Sequence, residues 1–261
     1  MTSILCPPCM VNSKLNTGHE IVYQTLYGPV KSRRFGTTYG INLMPVGAKI
    51  CSFDCVYCQL GWTKNQRPLP QHSLPQIETI IGEVQELLKN KKPNDFSLVI
   101  SGNGEPTLYP DFLNFITTLI EQRNQQASNV PIICFTNGTM LHLPNIFRAL
   151  SLIDECCLKL DPDLFFTNQP NNNYDIDQII TQATQLNNLI IQACLFEQNT
   201  SEKAINEWLT LFEKINPKRV DLYTLSRKTP DKSLKPLTKE KLIELQEMVK
   251  TKVSCKVTAS V

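Results

Sequence analysis

The sequence lacks several features that would assign it to common protein classes. No run of apolar residues approaches the roughly 20 needed to span a bilayer, and residues 1–20 lack the apolar core of a signal peptide. The net charge is only +2, which gives no strong attraction to nucleic acid or to a membrane. Together these absences predict a cytoplasmic protein without membrane association.

Histidine is also scarce. The three histidines, His19, His72 and His142, match no metal-ligand spacing, and a surface position is expected for each. No Ser/His/Asp or Cys/His arrangement for nucleophilic catalysis can be found in the sequence. The chain therefore offers neither a histidine metal site nor a catalytic triad of those kinds.

Cysteine, in contrast, is abundant, with ten residues. Such a number would indicate disulfides in a small exported chain, but this chain has 261 residues and no export signal. Cys6 and Cys9 flank two prolines, and incidental thiols in an irregular terminus are favoured over half of an auxiliary metal site. Four others lie in apolar, strand-like segments and are expected to be buried free thiols: Cys134, Cys156, Cys157 and Cys194.

Three further cysteines, Cys51, Cys55 and Cys58, fall within eight residues. Their C-x3-C-x2-C spacing allows one loop to present three thiolates to one metal centre. A structural zinc site and an ordinary iron–sulfur cluster both take four ligands, and no second pair of cysteines follows nearby. Three thiolates on a four-iron cluster would leave one iron open to another ligand.

This motif, with Tyr57 just before the last cysteine, resembles the signature of the radical S-adenosylmethionine (SAM) superfamily. The flanking segments GPVKSRRFG (28–36) and QLGWT (59–63) resemble a little-characterised subfamily, loosely grouped with wybutosine-type tRNA-modifying radical enzymes. The resemblance implies a 4Fe-4S cluster on the three motif cysteines, whose open iron binds SAM. It also implies reductive cleavage of SAM to a 5′-deoxyadenosyl radical, which abstracts hydrogen from a substrate.

Apolar periodicity predicts alternating strands and helices from residue 39 onward. The predicted strands cover residues 39–43, 96–101, 130–136, 155–160, 189–196 and 219–225. The predicted helices cover residues 75–91, 111–125, 144–150, 175–187, 201–215 and 238–250. This alternation indicates an α/β fold with a parallel sheet, and six such units resemble the partial (β/α)6 TIM-like barrel of the superfamily. One core domain over residues 27–261 is expected, preceded by an N-terminal extension over residues 1–26.

The functional residues of such barrels gather at the C-terminal ends of the strands. After the second predicted strand comes the segment SGNGEPT (101–107), which is similar to the superfamily's Gly-Gly-Glu-Pro stretch. That stretch binds the amino group of SAM, and Asn103 replaces its first glycine here. The resemblance therefore assigns Gly104 and Glu105 to the cofactor, and it places Asn137, after the third strand, near the cofactor's ribose.

Lys159 and Asp161 lie at the end of the fourth predicted strand, where period-two alternation puts them on the same side. A lysine in an apolar strand needs a partner, which is either Asp161 or the carboxylate of the cofactor. The resemblance favours the cofactor, and Gln192 on the fifth strand is expected to face the barrel interior. The predicted cofactor-binding residues are thus Tyr57, Gly104, Glu105, Asn137, Lys159, Asp161 and Gln192.

Four residues are candidates for contact with the substrate: Arg33, Arg34, Tyr223 and Arg227. A solvated basic loop is the alternative for the arginine pair, and structural hydrogen bonding is the alternative for the other two. A basic rim around one mouth of the barrel is expected from Lys31, Arg33, Arg34, Lys49, Lys64 and Arg67. Such a rim suits a phosphate-bearing substrate, such as tRNA, or an acidic flavodoxin.

Two other functions remain open at this point. A peptide- or protein-modifying or activating radical enzyme would carry the same motif. A non-enzymatic zinc or iron–sulfur binding module would need a fourth protein ligand, for instance Cys6 or Cys9. The radical enzyme requires a flavodoxin or ferredoxin as electron donor, and a monomer is expected.

Overall fold

The structure, a computed structural model, describes residues 21–63, 74–92, 95–169 and 174–261. Its centre is one eight-stranded sheet whose strands follow one another in chain order. The strands are β1 (Leu26–Ser32), β2 (Gly36–Ile41), β3 (Ser97–Ile100), β4 (Ile132–Thr136), β5 (Glu155–Lys159), β6 (Leu189–Leu195), β7 (Arg219–Thr224) and β8 (Lys256–Ser260).

Helices connect the strands. They are α1 (Ile77–Asn90), α2 (Phe112–Ala127), α3 (Pro144–Leu152), α4 (Leu164–Asn168), α5 (Ile176–Ala183), α6 (Glu202–Lys214) and α7 (Lys239–Lys250). Among the described residues, no helix is long and apolar enough to cross a membrane.

The sheet combines one hairpin with a parallel array. β1 and β2 pair antiparallel, and all pairs from β2 to β8 are parallel. Each strand from β2 to β7 is followed by at least one helix before the next strand begins. These are the six βα units of a partial barrel, so the predicted fold class is confirmed, with β1 and β8 as additional edge strands.

The turn of the first hairpin touches β7, which shows that the sheet curls strongly. In a flat sheet β2 and β7 would lie about 24 Å apart, which is five strand spacings. Instead, the guanidinium carbon of Arg34 lies 4.6 Å from the ring centroid of Tyr223, and that of Arg219 lies 5.3 Å from the ring centroid of Phe35. Phe35 also packs at 5.8 Å, ring to ring, against Phe135 of β4. The hairpin turn therefore reaches across the concave face of the sheet.

Side chains alternate between the two faces of the sheet. The convex face joins the helices in the main core, to which Leu98, Ile132 and Leu158 belong. The concave face carries a smaller apolar cluster of Val99, Ile133, Cys157 and Ile190, covered by Phe35 and Phe135. The four cysteines expected in strands are buried free thiols, so that prediction is confirmed. Parallel strands covered on both faces need such near-continuous apolar runs.

The segment 28–36, predicted as a loop, is instead the body of a β-hairpin. β1 pairs with β2 through a register shift between Tyr27 and Val30, and Arg33 to Phe35 form its turn. β1 is an edge strand and tolerates Pro29, because the missing N–H is not needed by a second neighbour. β8 was also missed, since its sequence KVTAS has no apolar alternation strong enough to predict a strand.

Candidate functional site

The loop after β2 carries the three motif cysteines. Cys51, Cys55 and Cys58 are partly exposed free thiols. The loop is folded by its own turns, in which the amide of Cys58 donates to the carbonyl of Cys55 and that of Gly61 donates to Cys58. The sequence thus presents three soft donors on one short segment, and the rest of the site is assembled around that segment.

The glycine-rich loop after β3 is in direct backbone contact with the cysteine loop. The amide of Ile50 donates to Asn103, and the amide of Glu105 donates to Ile50. A Cβ on Gly104 would lie 1.7 Å from the Ile50 carbonyl oxygen, and its φ of +136° favours glycine. Position 104 therefore requires a glycine because the backbone of Ile50 lies against it.

Asn103, which replaces the first glycine of the superfamily stretch, has a structural role. It is fully buried, and its side chain accepts from the Val22 amide at 2.7 Å and donates to the carbonyls of Val22 and Pro45 at 2.7 and 2.9 Å. A glycine could make none of these bonds. The asparagine ties the segment before β1 and the segment after β2 to the glycine-rich loop.

A buried ion pair lies beside the cysteine loop. Lys49 is only 2% exposed, and its Nζ donates to Asp54 at 3.1 Å and to the carbonyl of Gly61 at 2.8 Å. Burial lowers the pKa of Lys49, but its electrostatic interactions with Cys58, Cys51 and Asp54 raise this pKa by more, so the net shift is upward. The prediction that Lys49 belongs to a basic rim is wrong, because its side chain is buried and its charge is paired with Asp54 inside the loop. Lys64 and Arg67 lie outside the described residues.

Glu105 is buried and receives four hydrogen bonds. Its Oε1 accepts from the Thr107 amide at 3.2 Å, from the Thr107 hydroxyl at 2.5 Å and from the Thr136 hydroxyl at 2.7 Å. Among the described residues, its Oε2 accepts from the Asn137 amide alone, at 2.7 Å. Burial raises the pKa of Glu105, and these bonds oppose the rise. Three of these bonds go to Oε1 and one goes to Oε2, so Oε2 is the oxygen that has room for a further donor.

Asn137 connects the end of β4 with the cysteine loop. Its Nδ2 donates to the Ser52 hydroxyl at 2.8 Å and lies 3.8 Å from the sulfur of Cys51. Its Oδ1 accepts from the amide and the hydroxyl of Thr139 at 3.1 and 2.9 Å. Glu105, Asn137 and Cys51 thus lie together although they come from three different strand ends.

Asp161 is fully buried and, like Glu105, accepts four hydrogen bonds. Its Oδ1 accepts from Lys159 Nζ at 3.1 Å and from the Cys194 amide at 2.7 Å. Its Oδ2 accepts from the Tyr57 hydroxyl at 2.5 Å and from Asn168 Nδ2 at 3.0 Å. Four donors occupy the roughly four acceptor positions of the carboxylate.

Lys159 and Asp161 lie on the same side, as alternation predicted, and Lys159 faces the barrel interior. Besides the ion pair with Asp161, its Nζ donates to the Tyr223 hydroxyl at 2.8 Å. Burial disfavours the ammonium form, yet the carboxylate of Asp161 raises the pKa of Lys159 above its usual value. Burial also raises the pKa of Tyr57 well above 10. At neutral pH the lysine is therefore charged and both tyrosines, Tyr57 and Tyr223, are neutral donors.

Gln192 of β6 pairs in register with Lys159 and Asp221 on the neighbouring strands. It is 2% exposed, and its Nε2 has no hydrogen-bond partner within the described part of the chain. A buried amide nitrogen without an acceptor is costly, so this donor is available to a ligand in the barrel.

The four substrate candidates lie in two places. Arg227 donates to the Gln59 side chain at 3.0 Å, next to the cysteine loop. Arg34 stacks on Tyr223, and Arg33 donates to Ser226 at 3.3 Å. Tyr223 lies between the arginine pair and the barrel interior, because its ring contacts the Arg34 guanidinium and its hydroxyl accepts from Lys159.

Two contributors were missed from the sequence. Asn168 of α4 donates to the sulfur of Cys55 at 3.2 Å as well as to Asp161, and carbonyls of the same helix accept from the amides of Asp54 and Val56. The second is Lys49, which was predicted to lie on a basic rim and is instead buried beside the cysteine loop. The position of Lys49, two residues before Cys51, is a signal in the sequence that Lys49 lies near the cysteines. Asn168 gives no such signal, because it lies more than 100 residues from Cys55 in the chain.

Comparison with known proteins identifies the family. The profile described as the radical SAM superfamily matches residues 46–158, from the cysteine loop to β5. The UPF0026 protein of Helicobacter pylori (strain J99) is 31% identical over 228 residues, which cover 84% of this chain and 71% of that protein. A Brachyspira hyodysenteriae protein named GTPase Obg is 29% identical over 245 residues, but the chain spans only 35% of that protein's length.

A solved structure supports the same fold. The structure of TYW1 with a lysine-pyruvate adduct bound matches with a TM-score of 0.61 at 16% identity, over 84% of this chain and 76% of that chain. At this identity the likeness concerns the fold alone. The Helicobacter relative shows that the chain belongs to the UPF0026 family, and the profile shows that its residues 46–158 carry the radical SAM domain.

Proposed function

We propose that the enzyme holds a 4Fe-4S cluster on Cys51, Cys55 and Cys58 and uses it to cleave SAM reductively. The observation that carries the proposal is that the loop with the three cysteines lies against Asn137, which contacts both Cys51 and Glu105. When bound, the cluster and SAM supply a radical that abstracts hydrogen from the substrate. An electron donor, a flavodoxin or a ferredoxin, has to reach the cluster.

The donor set fits this group. Burial raises the pKa of Cys55 to about 12, and burial also raises that of Cys51, so neither is a thiolate without a cationic partner. Bound iron deprotonates a coordinating thiol outright. Within the described ranges no three His, Cys, Asp or Glu side chains lie close enough to hold a single metal ion. In a four-iron cluster each thiolate binds a different iron, so the sulfurs need not meet at one point.

The protein's own contribution is orientation of the cofactor and exclusion of water. The free acceptor position on Glu105 Oε2 suits an ammonium group, and Gln192 Nε2 is a donor without an acceptor. We infer that these two atoms contact SAM directly. A contact of Asn137 with the cofactor's ribose stays a prediction from the resemblance, because Ser52, Cys51 and Thr139 engage its side-chain amide. Asp161, whose acceptor positions are filled by the protein, instead acts by positioning Tyr57 and Lys159. Cytoplasmic location and a monomeric state stay predictions.

Replacing any one of Cys51, Cys55 or Cys58 by alanine is expected to abolish the brown four-iron cluster, because three thiolates are the fewest that can hold it with one iron open. Iron and sulfide content after anaerobic reconstitution measures this. Cys255→Ala, a change at a half-buried cysteine in another part of the fold, is the matched control and is expected to keep full iron content. Loss of most iron in a Cys6→Ala, Cys9→Ala variant would contradict the three-ligand assignment.

Glu105→Gln is expected to keep the cluster and weaken SAM binding. Losing one charge-assisted hydrogen bond costs about 1.5–3 kcal/mol, or roughly ten- to a hundredfold in affinity. Anaerobic equilibrium dialysis with labelled SAM gives the dissociation constant. Glu83→Gln, at an exposed position on α1, serves as the control. An unchanged dissociation constant in Glu105→Gln, with the iron content intact, would show that this carboxylate does not contact SAM.

Asp161→Asn is expected to destabilise the fold by about 3–5 kcal/mol, because it leaves the buried Lys159 ammonium without its counter-charge. Denaturant unfolding compares it with Asp154→Asn, which breaks the more exposed pair with Arg123. Because Tyr57 and Asn168 join Asp161 to the cysteine loop, iron content per folded chain should also fall in Asp161→Asn and stay unchanged in Asp154→Asn. If Asp161→Asn and Asp154→Asn had equal effects on the free energy of unfolding and on the iron content, the positioning role of Asp161 would be contradicted.

A further inference from the structure

A cavity of about 230 Å³ lies between the turn of the first hairpin and the concave face of β7 and β8. Arg33 and Arg34 contribute from the turn, and Arg219 and Asp221 contribute from β7. Lys256 and Ser260 contribute from β8. Because β7 and β8 pair in register, Arg219 lies beside Lys256 and Tyr223 beside Ser260 on the same face.

The charges that line this cavity do not cancel. Arg219 is neutralised, because its Nε donates to both oxygens of Asp221 at 3.0 and 3.2 Å and its Nη2 lies 3.4 Å from Glu155. Asp221 also accepts from the Thr258 hydroxyl at 2.7 Å. In the part of the chain that the structure describes, Arg33, Arg34 and Lys256 form no ion pair with a carboxylate. Three cations around one cavity therefore have no counter-charge.

Arg34 carries unused hydrogen-bond donors. Its Nε and Nη1 are buried and have no partner among the described residues. The stacking of its guanidinium on Tyr223 does not satisfy them, because the N–H groups of arginine point outward in the plane of the group. A buried donor without an acceptor costs desolvation free energy, which an acceptor in the cavity would recover.

Ser260 repeats the pattern on the opposite wall. Its Oγ is buried and also has no hydrogen-bond partner among the described residues. Three polar atoms without a partner among the described residues, Nε and Nη1 of Arg34 and Oγ of Ser260, thus belong to residues that line the cavity. The three cations without a counter-charge line the same cavity. Guanidinium groups, an ammonium and a hydroxyl are the groups that proteins use to hold phosphate and carboxylate.

We propose that this cavity is a binding site for an oxyanion, a phosphate or carboxylate group, held by Arg34, Lys256 and Ser260 with Arg33 at the rim. The site is joined to the barrel interior by Tyr223, whose ring centroid lies 4.6 Å from both the Arg34 guanidinium carbon and Lys159 Nζ. The Tyr223 ring therefore lies between an oxyanion bound at Arg34 and the residues around Asp161. The assignment of this oxyanion to the enzyme's substrate rests on the function proposed above, whereas the binding site itself does not.

The test is anion-dependent stabilisation of the full chain, prepared anaerobically with its cluster. The unfolding temperature is measured against increasing sodium phosphate, with sodium chloride holding the ionic strength constant. A ligand that binds only the folded state raises the unfolding temperature in a concentration-dependent way that yields its dissociation constant. We expect such a rise for the wild type. A parallel series with acetate distinguishes a site that accepts any oxyanion from one that requires phosphate.

Arg34→Gln is expected to weaken phosphate binding roughly tenfold or more, since it removes the charge and alters the unpartnered donors. Arg148→Gln, at an exposed arginine on α3, is the matched control and should bind as the wild type does. Lys256→Gln changes an exposed side chain, so it remains informative if Arg34→Gln does not fold, and it should also weaken binding.

Absence of anion-specific stabilisation in the wild type would overturn the proposal. So would equal stabilisation of the wild type and Arg34→Gln, or of the wild type and Lys256→Gln if only that variant folds. These measurements involve no turnover. A negative result therefore leaves the proposed SAM chemistry standing, and a chain that fails to hold iron does not decide the question of the anion.

Discussion

The arrangement of the site depends on one buried carboxylate, that of Asp161. It accepts hydrogen bonds from Tyr57 in the cysteine loop, from Lys159 on β5, from the amide of Cys194 on β6 and from Asn168 on α4. A buried charge is tolerated only when it is paired and fully hydrogen-bonded, so each of these four segments is held to a defined distance from the others. The cysteine loop therefore takes its position from the far strands of the sheet as well as from its own turns.

A second constraint joins the near strands to the same loop. The backbone of Ile50 approaches Gly104 so closely that any side chain there would collide with it, and Asn103 fastens the adjoining segments. Glu105 and Asn137 are thereby brought to one side of the cysteine loop, while Tyr57 and Asp161 lie on the other. The first constraint comes from the ends of β5 and β6 and the second from the ends of β2, β3 and β4, and both act on the loop after β2.

Much of the fold could be predicted because it depends on local patterns. Apolar runs in the strands and 3.6-residue periodicity in the helices gave six βα units, and alternation correctly put Lys159 and Asp161 on one side. The first hairpin was missed because Pro29 and the charged residues hide an edge strand, and the contact of Asn168 with Cys55 has no local signal at all. Lys49 was misplaced because a charged residue is usually exposed, and only the folded loop supplies its partner Asp54.

The central claim is that the three-cysteine loop supports reductive cleavage of SAM. Its most direct test is formation of 5′-deoxyadenosine when the anaerobically reconstituted chain is incubated with SAM and dithionite, with metal content determined on the same sample. The account predicts four irons and four sulfides per chain and 5′-deoxyadenosine that depends on both SAM and reductant. One zinc per chain in place of iron, or a full iron–sulfur complement that yields no 5′-deoxyadenosine, would contradict it.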